Sequence, residues 1–133
     1  MTVARLSLVQ QEWIATIQGF QRTVAHVKHL VAELDGNRAA SMSVINGYSA
    51  SIERELSQLR QRSLVTHLGT LGDMAGSMSV LAGRSIGIAL KIRGLTEGVQ
   101  SLEFELDVAL AKALASAAEA RAEPPPRDDP PTS

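Results

Sequence analysis

Histidine is the residue type in this chain best suited to acid–base or metal chemistry, and the sequence contains three: His26, His29 and His67. His29 and Glu33 lie four residues apart, so one face of a helix would present an imidazole and a carboxylate at a spacing compatible with metal binding. In the heptad pattern of the surrounding segment, however, His26, His29 and Glu33 all fall on the outer face. We therefore expect exposed polar side chains here and predict no metal site.

Other catalytic signatures give no support for an enzyme. The chain has no cysteine, which removes thiolate ligands, cysteine nucleophiles and disulfides. We find no Glu-x-x-His, no His-Glu-x-x-His, no phosphate loop after a strand and no serine in a strand-to-helix nucleophile elbow. The prediction is a protein that is not an enzyme, with no catalytic residue, cofactor or metal ion.

Regularly spaced glycines form a second pattern. Three G-x-x-x-G pairs recur every eleven residues, and eleven residues make three helical turns, so the glycines would share one slowly drifting stripe of a continuous helix. Glycine inside a helix costs about 1 kcal/mol relative to alanine, so its repetition favours very close approach of another helix. Alternatively, the first glycine is a helix cap and the others occupy tolerated exposed positions. The pairs are Gly72/Gly76, Gly83/Gly87 and Gly94/Gly98.

Long helices must position these residues. All five prolines lie at or after Pro124, so residues 1–123 contain no helix breaker of this kind. Apolar residues recur at alternating steps of three and four, as in a coiled coil, and because aromatics supply 3% of the chain, the core must be aliphatic. We predict an all-α antiparallel bundle of three helices, over 3–35, 38–70 and 74–122. The first seam contains Val3, Leu6, Trp13, Ile17, Phe20, Val24, Val27, Val31 and Leu34.

An internal repeat of 36 residues supports these boundaries. Residues 36–45 match residues 72–81, including the same Ser-Met-Ser-Val tetrapeptide. Since Gly36-Asn37 resembles a helix stop followed by an N-cap, the repeat predicts another break at Gly72-Asp73. The alternative is that the chain runs through this point as one bent helix. The seams are Met42, Ile45, Ser49, Ile52, Leu56 and Leu59, then Met78, Leu81, Ser85, Ile88, Ile92, Leu95, Val99, Leu102 and Leu106.

The third predicted helix has more apolar surface than a three-helix monomer can bury. It carries apolar residues off its seam, and an alanine-rich overhang, 109–122, extends beyond its partners. The leading hypothesis is a non-enzymatic assembly protein that self-associates through this helix as a homo-oligomer, or binds a partner protein. The predicted interface residues are Gly76, Val80, Gly83, Ile86, Gly87, Leu90, Gly94, Gly98, Phe104 and Val108.

Two other functions stay open. A membrane-active or lipid-surface protein would use the basic, apolar segment 74–93, although Arg84 and Lys91 oppose insertion as a spanning helix. A small adaptor or chaperone would bind its partner through the third helix. A net charge of −1 argues against nucleic-acid binding.

The two ends of the chain bear on localisation and domain organisation. Residues 124–133 form a proline-rich tail that we predict to be disordered, after a single helical domain over 1–123. Residues 1–9 lack the pattern of a secretory signal, so the expectation is a cytoplasmic protein, with signal-independent secretion or membrane association as alternatives.

Overall fold

The residues that the structure describes form four helices, each packed against two others. The computed structural model describes residues 2–66 and 68–122, with side-chain surroundings for residues 8–66 and 68–119. In this part of the chain the helices are α1 (Thr2–Gly36), α2 (Met42–Leu64), α3 (Gly69–Gly83) and α4 (Ile88–Ala122). Each packs against its neighbours in the order α1–α2–α3–α4–α1. The predicted all-helical bundle is confirmed, whereas the predicted count of three helices is wrong; the proline-rich tail lies outside the described residues.

The first and last helices form the long antiparallel pair of the bundle. Gln10 Nε2 donates to the carbonyl of Ser116 at 3.4 Å, and Lys28 Nζ lies 3.2 Å from Glu103 Oε2. Both helices contain 35 residues and so span about 52 Å, whereas the 23 residues of α2 span about 35 Å. The alanine-rich overhang of α4 therefore exists, but α1 of the same chain lies along one side of it.

The first connection is closed by side-chain caps at the ends of α1 and α2. Asn37 Nδ2 donates to the carbonyl of Glu33 at 2.7 Å, which satisfies an acceptor in the last turn of α1. The N-cap of α2 is Ser41, whose Oγ accepts from Val44 N. The prediction that Asn37 starts the second helix is thus wrong, because Asn37 caps the end of the first.

The predicted break at Gly72-Asp73 is also wrong, as is the alternative of one helix running on to residue 122. After α2 has begun, the chain leaves its helical path twice, after Leu64 and again between Gly83 and Ile88. Gly72 is buried inside α3. The repeat of 36 residues is consequently a repeat of sequence and not of structure, since Gly36 ends a helix and Gly72 does not.

The core follows the predicted seams closely. The seam residues of α1 from Ile17 to Leu34 are buried, as are those of α4 from Ile92 to Leu106. Departures occur at helix ends, where Met42 is exposed and Ser85 lies in the α3–α4 connection. Val3 and Leu6 lie outside the residues with described side chains. The buried apolar residues are Ile17, Phe20, Val24, Val27, Val31, Leu34, Ile52, Leu56, Leu59, Leu71, Ala75, Met78, Ala82, Ile92, Leu95, Val99, Leu102, Leu106, Ala113 and Ala117.

Candidate interaction surface

A stripe of small residues on α3 receives α2. An ideal Cβ at Gly72 would lie 3.2 Å from Ser63 Cβ, and one at Gly76 would lie 3.1 Å from Arg60 Cδ. Further along the stripe, Ser79 Oγ lies 2.8 Å from the hydroxyl of Ser57 on α2. Close approach by another helix, the reason suggested for the glycines, is thus seen here within the chain.

The glycines of α4 face α3 in the same way. An ideal Cβ at Gly94 would lie 2.6 Å from Leu81 Cδ2, and one at Gly98 would lie 2.7 Å from Met78 Sδ. Both contacts are closer than a real Cβ atom tolerates, so these positions accept side chains from α3 only because they lack a Cβ. The surface at Gly94 and Gly98, which we predicted to contact another chain, is therefore covered by Leu81 and Met78 of α3.

The pair Gly83/Gly87 does not form a helix face. Gly83 is the last residue of α3, where an ideal Cβ would lie 3.0 Å from Glu53 Oε2. Gly87 lies in the connection to α4, with nothing within 4 Å of an ideal Cβ. Since the helix is interrupted between them, the eleven-residue glycine stripe of one continuous helix is not present.

The apolar members of the predicted interface lie on the outside of the bundle. Val80, Ile86, Leu90 and Phe104 are exposed, Phe104 with 66% of its surface, and Val108 is half-buried. Phe104 lies two residues from both Leu102 and Leu106, which is about 200° of helical rotation, so it points away from the core that those leucines enter. Phe104 is therefore an aromatic side chain on the outer face of α4.

An uninterrupted apolar row continues from Phe104 towards the end of α4. Its spacing alternates between four and three residues, which is the spacing of a heptad seam. All of its members except the half-buried Val108 are exposed. The two preceding positions on this face are Glu97 and Ser101, so the row begins at Phe104. We name it the outer seam; it comprises Phe104, Val108, Ala111, Ala115 and Ala118.

Two charged residues flank the outer seam on one side. Glu105 and Lys112 are seven residues apart and so lie along the same edge of α4. Neither makes an ion pair within 4 Å with another residue whose side chain is described; the salt bridge of α4 to α1 uses Glu103 instead. The outer seam thus has one negative and one positive side chain beside it with no ionic partner in the described part of the chain.

The histidine region holds a small polar cluster. His29 Nε2 lies 3.0 Å from Glu33 Oε1, and the hydroxyl of Tyr48 donates to Glu33 Oε2 at 2.8 Å. This hydrogen bond raises the pKa of Tyr48 above its usual value. His26 and His29 are exposed, as predicted, whereas Glu33 is half-buried, and His67 lies outside the described residues. The described residues contain no group of three histidine, cysteine, aspartate or glutamate side chains that could hold a metal ion.

Sequence reasoning missed two features. The outer seam was recognised only at Phe104 and Val108, although the same spacing continues through the alanines.

The second feature is a match to the motif G-x-S-x-G, formed by Gly83-Arg84-Ser85-Ile86-Gly87. Ser85 follows a helix, however, and not the strand of a hydrolase elbow. The described residues that line the adjoining cavity include no histidine.

Comparison with known proteins places the chain in no group. No family model, no curated protein and no solved structure matches it. Within the described residues, no helix combines the length and the apolar character needed to cross a membrane.

Proposed function

We propose that this chain is a non-enzymatic assembly protein, and that it pairs with a second copy of itself through the outer seam of α4. The supporting observation is Phe104, an exposed aromatic residue at the head of a heptad-spaced apolar row. A helix with apolar residues on two opposite faces is normally buried on both. The bundle covers only the face that carries Leu102.

The sizes of the residues in the outer seam are self-complementary. In an antiparallel pair, a step forward along one helix is matched by a step back along the other, so the numbers of facing residues have a constant sum. If Phe104 lies opposite Ala115 of the second copy, this sum is 219, and Val108 then lies opposite Ala111. Each layer then combines a larger side chain with an alanine, and two-fold symmetry repeats every contact. The outer seam is therefore complementary in side-chain size to the same seam of a second copy.

The flanking charges agree with the same register. The numbers of Glu105 and Lys112 sum to 217, which is close to the sum of 219 for facing seam residues, so Glu105 of one copy comes close to Lys112 of the other. Two-fold symmetry forms this contact twice. Exposed ion pairs contribute at most about 1 kcal/mol each, so they select the register more than they hold the dimer together.

The interface is small, which determines how it must be measured. The seam spans about 21 Å of a helix about 10 Å wide, so pairing removes on the order of 800 Å² of accessible surface in total. Stable complexes usually bury about 1,200–2,000 Å². We therefore expect a weak, concentration-dependent dimer.

Light scattering or sedimentation over about 1–500 µM protein tests the proposal. The weight-average mass should rise from 14.2 kDa at low concentration towards twice that value. Phe104→Asp should stay at the monomer mass. Leu90→Asp is the matched control, because Leu90 is on the same helix with a similar exposure of 64% and lies outside the seam.

A swap of sizes tests the register. Ala115→Phe places two phenylalanines in one layer and should weaken pairing, and adding Phe104→Ala should restore it by inverting that layer. Circular dichroism confirms that each variant is folded. A wild-type mass of 14.2 kDa at every concentration would overturn the proposal. So would a dimer lost in Leu90→Asp but kept in Phe104→Asp.

A further inference from the structure

Lys91 is buried without a counter-charge. Its relative exposure is 7%, and its Nζ lies 3.5 Å from the hydroxyl of Ser49, which is also buried. No carboxylate of the residues with described side chains lies within 4 Å of this Nζ. A buried ammonium group without a counter-ion is unfavourable in free energy. An anion bound beside Lys91 would offset this cost.

The side chain of Lys91 lines a cavity at one end of the bundle. The cavity has a volume of about 560 Å³, within the range of small-molecule sites, and lies between the connections α1–α2 and α3–α4. Arg38, Arg84 and Lys91 line it against one carboxylate, that of Glu53. Arg38 is already paired with Asp35, so Arg84 and Lys91 are the two cations of this lining that have no ionic partner among the described residues.

The remaining lining adds hydrogen-bonding groups. Ser49 and Asn46 contribute a hydroxyl and an amide from α2, and Ser85 contributes a hydroxyl from the α3–α4 connection. The first turns of α2 and α4, at Met42 and Ile88, border the same space. Helix N-termini carry partial positive charge, which reinforces the preference of the two cations for an anion.

We propose that this cavity binds a small oxyanion, a molecule bearing a phosphate or carboxylate group, with Lys91 Nζ as its buried cationic contact. The ligand supplies the charge that Lys91 lacks. The site is separate from the outer seam, because Lys91 and Phe104 are about 20 Å apart along α4. It holds whether or not two copies of the chain pair.

Thermal unfolding of the full chain tests this site, with inorganic phosphate and succinate as probes and sodium chloride at matched ionic strength as the reference. At least one probe should raise the melting temperature saturably, by roughly 10 °C once it reaches about 100 times its Kd. Lys91→Met should lose this increment. Arg93→Met, which removes an exposed cation from the same helix away from both the cavity and the outer seam, should keep it.

The comparison of Lys91→Met with its control variant separates a bound anion from a general salt effect. Phosphate stabilises many proteins by exclusion from their surface, and that effect would be equal in the wild type and in Lys91→Met. The assignment is overturned if neither probe exceeds chloride, or if the increment survives in Lys91→Met. Saturable backbone amide shifts at Ser49, Arg84 and Lys91, absent in chloride, are the expected confirmation by nuclear magnetic resonance.

Discussion

The close contact of α3 with α4 at Gly98 determines whether the substitution Gly98→Ala stabilises or destabilises the protein. Replacing a helical glycine by alanine ordinarily raises stability by about 1 kcal/mol. At Gly98 the new Cβ would lie 2.7 Å from Met78 Sδ and 2.8 Å from both Met78 Cγ and Cε. Overpacking of this kind costs about 1–3 kcal/mol, so Gly98→Ala should range from neutral to about 2 kcal/mol less stable than the wild type.

Gly47 provides the matched control for this prediction. It lies inside α2 with nothing within 4 Å of an ideal Cβ, so Gly47→Ala should gain the full helical increment. The two variants should differ by about 1–3 kcal/mol, which corresponds to about 4–12 °C in Tm for a chain of this size. Circular dichroism at low protein concentration measures both.

A double-mutant cycle identifies the contact at Gly98 directly. Met78→Ala alone should destabilise by leaving a cavity, whereas Met78→Ala combined with Gly98→Ala should cost less than the sum of the two. If Gly98→Ala stabilises as much as Gly47→Ala, and the cycle shows no coupling, α3 does not cross α4 at this point and the packing argument fails.

Two further predictions concern the outward orientation of α4 and the Tyr48 hydrogen bond. Leu102→Ala should cost about 2–5 kcal/mol in urea unfolding, and Phe104→Ala should stay within about 0.5 kcal/mol for the monomer; the reverse order would mean that α4 is rotated. Because Glu33 raises the folded-state pKa of Tyr48, the stabilisation is present below the unfolded value of about 10 and is lost as pH rises through the folded value. Wild type should therefore lose more stability than Tyr48→Phe in urea titrations above about pH 10; equal pH dependence would exclude the bond.

The core was predictable because burial follows periodicity. Ile17 and Leu102 were assigned to the seams from spacing alone, and both are fully buried. Apolar residues repeated at steps of three and four lie on one face of a helix, and that face is normally buried against another element. The same rule found Phe104 but could not decide whether its face meets this chain or another.

The connections were not predictable, because glycine has two structural uses that look identical in a sequence. Gly36 ends a helix, whereas Gly72 lies within one and makes room for Ser63. The choice between them depends on which helix passes nearby, and that is tertiary information. The 36-residue repeat led to the wrong prediction that Gly72 also ends a helix, as Gly36 does. A local signal was present at the true break, where Gly83 and Gly87 bracket a polar residue at a seam position.

The burial of Lys91 could not be read from the sequence for a related reason. It lies three residues after Ile88 and four before Leu95, at the edge of the seam, where a lysine usually extends its ammonium group to water. The two connections and the start of α2 enclose that edge here. Closure by segments distant in sequence has no local signature.

The pairing of α1 with α4 joins the two ends of the chain. Ser57 and Ser79, which join α2 to α3, are 22 residues apart, but Gln21 and Asp107, which join α1 to α4, are 86 apart. The entropy lost on closing a loop grows with its length, so the α2–α3 hairpin can form locally while the long pair must wait for α4. Most of the buried leucines, isoleucines and valines belong to that late pair. We therefore expect the α2–α3 hairpin to form first, and cooperative stability to arise only when α1 and α4 meet.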